Sequence, residues 1–313
     1  GVYIVTFVFW VGIGHAETLI SAILYLFRAG FRTTIYRCAE AMTVFAVMTA
    51  GLFPIRHLGR PWKFFWLIPY PNWRYIWPQM KSPLVWDVFA ILTYLTVSAT
   101  FLYIGLVPDL AILRDREKNP IRKRIFAQLA LGWRNTDREW RHFVRAYLFL
   151  AAFSTPLVLS VHSVVSFDFA MSDVPGWHTT VFPPYFVAGA IYSGIGMVFT
   201  IIIPLRKWFN LKHYVTINDL DAAAKLALFT SLVVGVSYAC EWFVAWYSGS
   251  PAEKQFFANR LWGQWWWASA LLYTCNICLP LSLFSQWCRR NTTWLFILSI
   301  FINIGMWFER FVI

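Results

Sequence analysis

Residues 36–62 read YRCAEAMTVFAVMTAGLFPIRHLGRPW. From Tyr36 to Phe53 the run is apolar and near the length of about 20 residues that crosses a bilayer core. It then meets Pro54 and gathers Arg56, His57 and Arg60 within a few residues. A hydrophobic helix that ends in a cluster of cations places a membrane boundary there. It also raises the question of which side of the membrane carries that charge.

The whole chain fits this reading. It has 313 residues, of which 59% are hydrophobic, 20% aromatic and 13% charged, against about 25% charged in soluble domains. Mean hydropathy is +0.54. Within lipid every backbone polar group must be satisfied internally, so spans are helices or closed barrels. These apolar runs are long and do not alternate, which selects helices: the expected fold class is an all-α polytopic membrane protein. Eight spans are expected, at about 2–27, 36–54, 83–106, 143–167, 184–204, 222–247, 261–284 and 292–313. The loop before the fifth divides them into four and four, giving halves 1–167 and 168–313. With no initiator Met and a chain that stops inside a span, the sequence is expected to be part of a longer polypeptide.

Orientation follows from the loops. Arg28 and Arg32, then Arg114 through Arg141, then Arg206, Lys207 and Lys212, then Arg289 and Arg290 all fall on one side, which is cytoplasmic by the positive-inside rule. The net charge of +12 therefore reports orientation and does not call for nucleic acid. In the longest cytoplasmic loop, residues 120–133 place Ile121, Ile125, Leu129 and Trp133 at helical spacing against Arg122, Lys123 and Arg124. That pattern predicts an amphipathic helix lying on anionic phospholipid. One loop breaks the rule. Segment 55–82 is external by alternation, yet carries Arg56, Arg60, Lys63, Arg74 and Lys81 with no acid. Either the other loops outvote it, or it docks a partner or a redox ligand.

Ionisable groups in spans are costly, about 2.5–3.5 kcal/mol for Asp at a span centre, and face the bundle interior. His57 ends the second span, Asp87 opens the third, and His162 and Asp168 end the fourth, all on the outer side. A capping or ion-paired role for Asp87, for instance with Arg60, and a core role for His162 are the structural alternatives. His15 and Glu17 lie in the middle of the first span, and Glu241 and Glu309 form a sparser set in the sixth and eighth. These four are candidates for a proton path, although Glu241 or Glu309 could equally pair with Arg310. Cys275-x-x-Cys278 lies in an apolar run with no further ligands nearby and reads as packing.

A histidine and carboxylates at one membrane face, among aromatics, suit quinol oxidation. Two hydroxyls need acceptors, and two protons leave with two electrons. Phe53, Trp62, Phe64, Phe65, Trp66 and Trp86 could wall the ring. No Fe–S cysteine set or haem-attachment motif is present, so a partner must take the electrons. A bis-His haem on His57 and His162 is the rival, but the matched inner pair of a two-haem cytochrome b is missing. A transporter is a second rival. Its spans would be broken near the midplane, whereas Pro and Gly here cluster mostly near span ends.

The motifs GIGHAETLISAIL, RCAEAMTVFAVMTAGLFPIRHLGRPW, PYPNWRYIWPQMKSPLVWDVFA and SFDFAMSDVPGWHTTVFPPYFVAGAI resemble the NrfD/PsrC family of quinone-interacting membrane subunits. They are most similar to the ActC type of bacterial alternative complex III, with the ActF type as the alternative. The resemblance implies two four-helix bundles in the inner membrane. It places a site for menaquinol or ubiquinol at the periplasmic end of the first, with nothing covalently bound. It also implies haem-carrying c-type cytochrome subunits, a periplasmic iron–sulfur subunit and a homologous membrane subunit. Carried onto this sequence, His57, Asp87 and Asp168 take the catalytic role, with Arg60, Trp62 and Trp86 beside them. Glu17 departs from the small residue expected after Gly14-His15-Ala16. An ActF-like chain would be a non-catalytic scaffold or proton-translocating subunit.

Overall fold

The structure is a computed structural model. It describes residues 2–26, 32–57, 59–68, 70, 73, 75, 77, 79–177 and 179–313; among these, the side chains at 15–21, 23, 32–35, 37, 54, 57 and 67 are not described. The described residues are helical, with no strand among them. The main helices are α1 (Val2–Leu26), α2 (Arg32–His57), α3 (Pro83–Arg116), α4 (Pro120–Leu129), α5 (Asp137–Ala170) and α6 (Phe182–Trp208). They continue as α7 (Ile217–Tyr247), α8 (Pro251–Trp262), α9 (Trp266–Tyr273), α10 (Gln286–Arg290) and α11 (Thr292–Val312).

Among the described residues, six helical stretches are long and apolar enough to cross a membrane: α3, α5, α6, α7, Trp266–Phe284 and α11. The first two expected spans fall on α1 and α2, which carry shorter apolar stretches at Val2–Gly14 and Cys38–Phe53. Sequence explains where several helices begin. Thr136 and Glu139 cap each other's backbone at α5, and Thr216 and Asp219 do so at α7. Asn291 accepts from Thr293 and Trp294 at α11.

Three expectations need correcting. The third span does not stop near residue 106. α3 runs 34 residues to Arg116, about 51 Å at the helical rise, well beyond a hydrocarbon core of about 30 Å. Arg114 and Arg116 in its last turn complement the helix dipole, and the Arg114 guanidinium donates to the Trp133 carbonyl at 2.9 Å. The amphipathic helix expected over 120–133 ends at Leu129, because Leu131 and Gly132 turn into the left-handed region at φ 51° and 73°. Trp133 therefore leaves the apolar stripe and packs edge-on against Trp140, at 5.2 Å. Ile121, Ile125 and Leu129 are exposed.

The third correction concerns the seventh span, which is interrupted in its middle. Pro280 cannot donate to the carbonyl four residues back, and the chain widens into a π-turn over Thr274–Cys278. The freed carbonyls are taken up internally: the Ser231 hydroxyl donates to Asn276 O at 2.8 Å and the Tyr192 hydroxyl to Cys275 O at 3.4 Å. α11 passes close to this turn at Gly305, where a β-carbon would stand 2.3 Å from Asn276 Oδ1. Cys275 is buried and Cys278 exposed.

The packing joins the two halves along a seam. α1 packs on α2 and α5 but also on α6 and α11, and α6 packs on α5 as well as α7. One apolar cluster, with Val11, Val165, Phe186, Val234 and Leu272, draws on both halves. Polar side chains tie helices where small residues let them approach: the Thr200 hydroxyl donates to Ser299 at 2.9 Å across α6 and α11.

Candidate functional site

α3 and α5 pack against each other, so the N-terminus of one meets the C-terminus of the other. Asp87 is in the second turn of α3, and Asp168 is in the last turn of α5. Their carboxyl groups lie within hydrogen-bonding reach of each other. Asp87 is buried and Asp168 half-buried, and Oδ1 of each is buried without a hydrogen-bond partner among the described residues. A hydrogen bond between two carboxyls needs one proton between them, since like charges this close do not both ionise. The structure thus brings together two of the residues singled out from the sequence. It also shows that the partner of Asp87 is a second acid, whereas Arg60 is exposed.

His57 is the last residue of α2, a helix that packs on α3; its side chain lies outside the described residues. Beyond it, Pro61–Leu67 form a 3-10 helix after Gly59 at φ 70°. This helix presents Trp62, Lys63, Phe64, Phe65 and Trp66 on the surface. Lys63 sits 5.8 Å above the Trp66 ring. The Trp86 indole donates to the Met80 carbonyl at 2.7 Å, which ties the end of this segment to α3 one residue before Asp87. Phe53 packs on the apolar cluster that joins the halves.

His162 is buried on α5 six residues before Asp168, with its ring 6.1 Å from Phe186. A β-carbon on Gly12 of α1 would stand 3.5 Å from Arg310 Nη2, 3.7 Å from Ser193 Oγ and 4.0 Å from His162 Cε1. Three helices therefore converge where α1 carries no side chain. His15 and Glu17 lie on α1 just beyond, with side chains outside the described residues.

The second set is denser than the sequence suggested. Glu309 accepts hydrogen bonds from Tyr238 and from its neighbour Arg310, and Asn276 Nδ2 reaches Tyr238 at 2.9 Å. Arg310 also donates to the Met306 carbonyl at 3.0 Å. Glu241 pairs with Arg260 of α8 at 3.4 Å rather than with Arg310. Sequence reasoning left Arg260 in a loop, but it is buried, and its guanidinium is 4.5 Å and 4.7 Å from the Phe256 and Phe257 ring centroids.

A third site was missed. Glu40 of α2 is buried and accepts from the Tyr147 hydroxyl of α5. Tyr147 in turn packs against Phe101 and Tyr25 at 4.5 Å and 5.1 Å. The available signal was an acid inside an apolar run that was itself assigned as a span.

Buried acids in a multi-span helical bundle, set beside a basic aromatic segment, mark the class as a multi-pass membrane protein with polar sites inside its bundle. The family model described as polysulphide reductase, NrfD, matches residues 1–313. The chain belongs to that family and is a multi-pass membrane protein. It is also similar to a putative membrane subunit of a dimethyl sulfoxide reductase from Halobacterium salinarum, at 25% identity over 205 residues. That match covers 65% of this chain and 42% of the relative, so the chain spans less than half of the relative's length.

Proposed function

We propose that this chain is the quinol-binding, proton-handling membrane subunit of a respiratory oxidoreductase, with quinol oxidised at the outer end of the first half. The observation that carries this reading is the Asp87–Asp168 pair, with an unsatisfied buried oxygen on each acid. Family membership and the reductase subunit among its relatives support a redox complex. A quinol supplies two protons and two electrons. One carboxyl accepts from one hydroxyl, and His57 accepts from the other. Asp168 takes the proton on from Asp87, so the pair returns to its starting state when the proton leaves. The exposed cations Arg56 and Arg60 favour the negative charge that develops as the hydroxyls are deprotonated. Trp62 and Trp86 flank the entrance.

The electrons pass to an iron–sulfur subunit docked on the basic 55–82 segment, and from there to c-type haem. The chain then works as two four-helix halves, 1–167 and 168–313, in a bacterial inner membrane beside a homologous membrane subunit. His15, Glu17, Glu241 and Glu309 carry protons, and α4 rests on phospholipid. The second reading is an ActF-like scaffold. It is favoured by the Glu309–Arg310–Tyr238 hydrogen-bond network, a chain of polar groups that would pass protons without quinol.

The test is quinol:acceptor turnover in the purified intact complex. His57→Leu and Asp87→Asn are each expected to lower it at least tenfold, about 1.4 kcal/mol in the barrier, with subunits still assembled. Turnover unchanged in both would move the chemistry elsewhere and leave the scaffold reading.

A further inference from the structure

The corner between the last two spans carries a polar pocket that the quinol reaction does not use. After the 3-10 turn Pro280–Phe284 the chain extends at Ser285, makes the single turn α10, extends again at Asn291 and enters α11. α10 packs on both α7 and α11, at the end of α7 remote from Glu241. Its two adjacent arginines part company. Arg289 turns inward, donating to Asp221 of α7 at 2.8 Å and to the carbonyls of Leu283 and Phe284 at 2.7 Å and 2.9 Å. Its charge is met by a carboxylate, and it holds the corner shut. Arg290 is exposed and donates through Nη2 to the Asn218 carboxamide of α7 at 3.0 Å. That acceptor is neutral, so the guanidinium is held in place while its charge is left over.

Arg290 lines a cavity of about 580 Å³ with Gln286, Trp287 and Asn291. All four side chains can donate hydrogen bonds, and none is an acid. Asn291 Oδ1 is already taken by the backbone amides of Thr293 and Trp294, at 3.0 Å and 3.1 Å, which leaves its amide nitrogen as the group to offer. The acids at the start of α7 are engaged elsewhere. Asp219 accepts from the Thr216 backbone and hydroxyl, both at 2.8 Å, and Asp221 is shared by Arg289 and Lys225. The pocket is thus a donor set around one uncancelled cation.

Its surroundings place it at the level of the lipid headgroups. Trp287 is exposed, as are Trp208 at the end of α6 and Tyr214 in the loop that leads to α7. Indole and phenol rings collect at the membrane–water boundary. Arg206, Lys207 and Lys212 add positive charge on the same side, and basic pockets between spans suit acidic headgroups.

We propose that this pocket binds the phosphate of one anionic phospholipid headgroup, with Arg290 as the charged contact and Gln286 and Asn291 as neutral donors. Trp287 lies alongside the lipid where headgroup meets acyl chain, a contact that a free anion would not use. The site differs from the surface of α4, which lays a whole helix face on the membrane. Here a discrete cavity at the junction of two spans takes a single lipid and links α10 and α11 to the start of α7.

The test is titration of phosphatidylglycerol into the delipidated, purified complex in detergent, with bound lipid counted by native mass spectrometry. Arg290→Ala is expected to weaken one site about fivefold, the equivalent of ~1 kcal/mol for one cation beside an anionic lipid surface. Arg290→Glu should weaken it further, and Arg290→Lys should keep most of the affinity. Lys212→Ala, which removes an exposed cation outside the pocket, should leave that site at its wild-type affinity, and phosphatidylcholine should not compete for it. Thermal midpoints of the variants report that they remain folded. Equal phosphatidylglycerol binding by the wild type, Arg290→Ala and Arg290→Glu overturns the site. Displacement of the lipid by millimolar inorganic phosphate overturns the lipid assignment and makes the pocket a free-anion site.

Discussion

Two of the buried acid sites are built in opposite ways. Where the start of α3 meets the end of α5, Asp87 faces another acid, and each keeps an unsatisfied oxygen. In the second half, Glu309 is held by Arg310 and Tyr238, with Asn276 behind. The first arrangement gives up stability and leaves acceptors available. The second bonds both oxygens of its carboxylate, leaving Arg310 Nε and Asn276 Oδ1 over, and joins α7, α11 and the π-turn. A buried acid is thus not one kind of feature: what it faces decides whether the site is set up to react or to hold.

The largest effect should come from breaking the second site. Glu309→Leu leaves the Arg310 guanidinium buried without its carboxylate, and removing one partner of a buried pair costs about 3–5 kcal/mol. A fall in the thermal midpoint of the detergent-solubilised complex, or loss of the assembled subunit, is expected. The same variant with undiminished stability would place Glu309 on the reactive side of the comparison.

Next comes Asp87→Asn. It should lower quinol turnover about 100-fold, at the low end of what acid–base groups contribute, and so about 2.7 kcal/mol in the barrier. Stability should hold or rise, because the new amide can donate to Asp168 where two acids had to share one proton. A variant that loses stability along with activity would show that the pair is structural. The pH profile of residual turnover should also lose one limb.

A smaller effect is expected at Gly305. Alanine there would bring its β-carbon to 2.3 Å from Asn276 Oδ1 and 2.5 Å from Cys275 Cβ. Overpacking of this kind costs about 1–3 kcal/mol and would disturb the Asn276–Tyr238 contact without removing a charge. Smallest is Thr136→Ala, which deletes the capping box of α5. About 1 kcal/mol of stability is at stake, with no change in turnover. Thermal midpoints of the two variants, measured side by side, check the order.

Much of this contrast was legible in the sequence, though unevenly. Asp87 and Asp168 could be brought together because alternation of spans puts the start of α3 and the end of α5 at one face, and depth along a helix is counted reliably. The facing of side chains around a helix is not counted that way. Arg260 was read as a loop residue, since nothing in sequence says that α8 folds back onto α7. Glu40 went unremarked although an acid in an apolar run carries its own signal. The length of α3 was underestimated because Asp109 and Arg114 look like the start of a loop, whereas a helix can continue past the lipid once its charges reach water. The π-turn follows from Pro280 in hindsight, but the sequence alone does not say which hydroxyls will take the freed carbonyls.

Gly12 has a consequence for how the molecule could be taken apart. At that level α1 is no thicker than its own backbone, so α5, α6 and α11 each touch it through a polar group. A methyl group fits at ordinary contact distance, whereas an isobutyl group would act as a wedge driven into three joints at once. One position on the first helix therefore works as a mechanical key: its bulk sets how closely the two halves of the protein can close on each other.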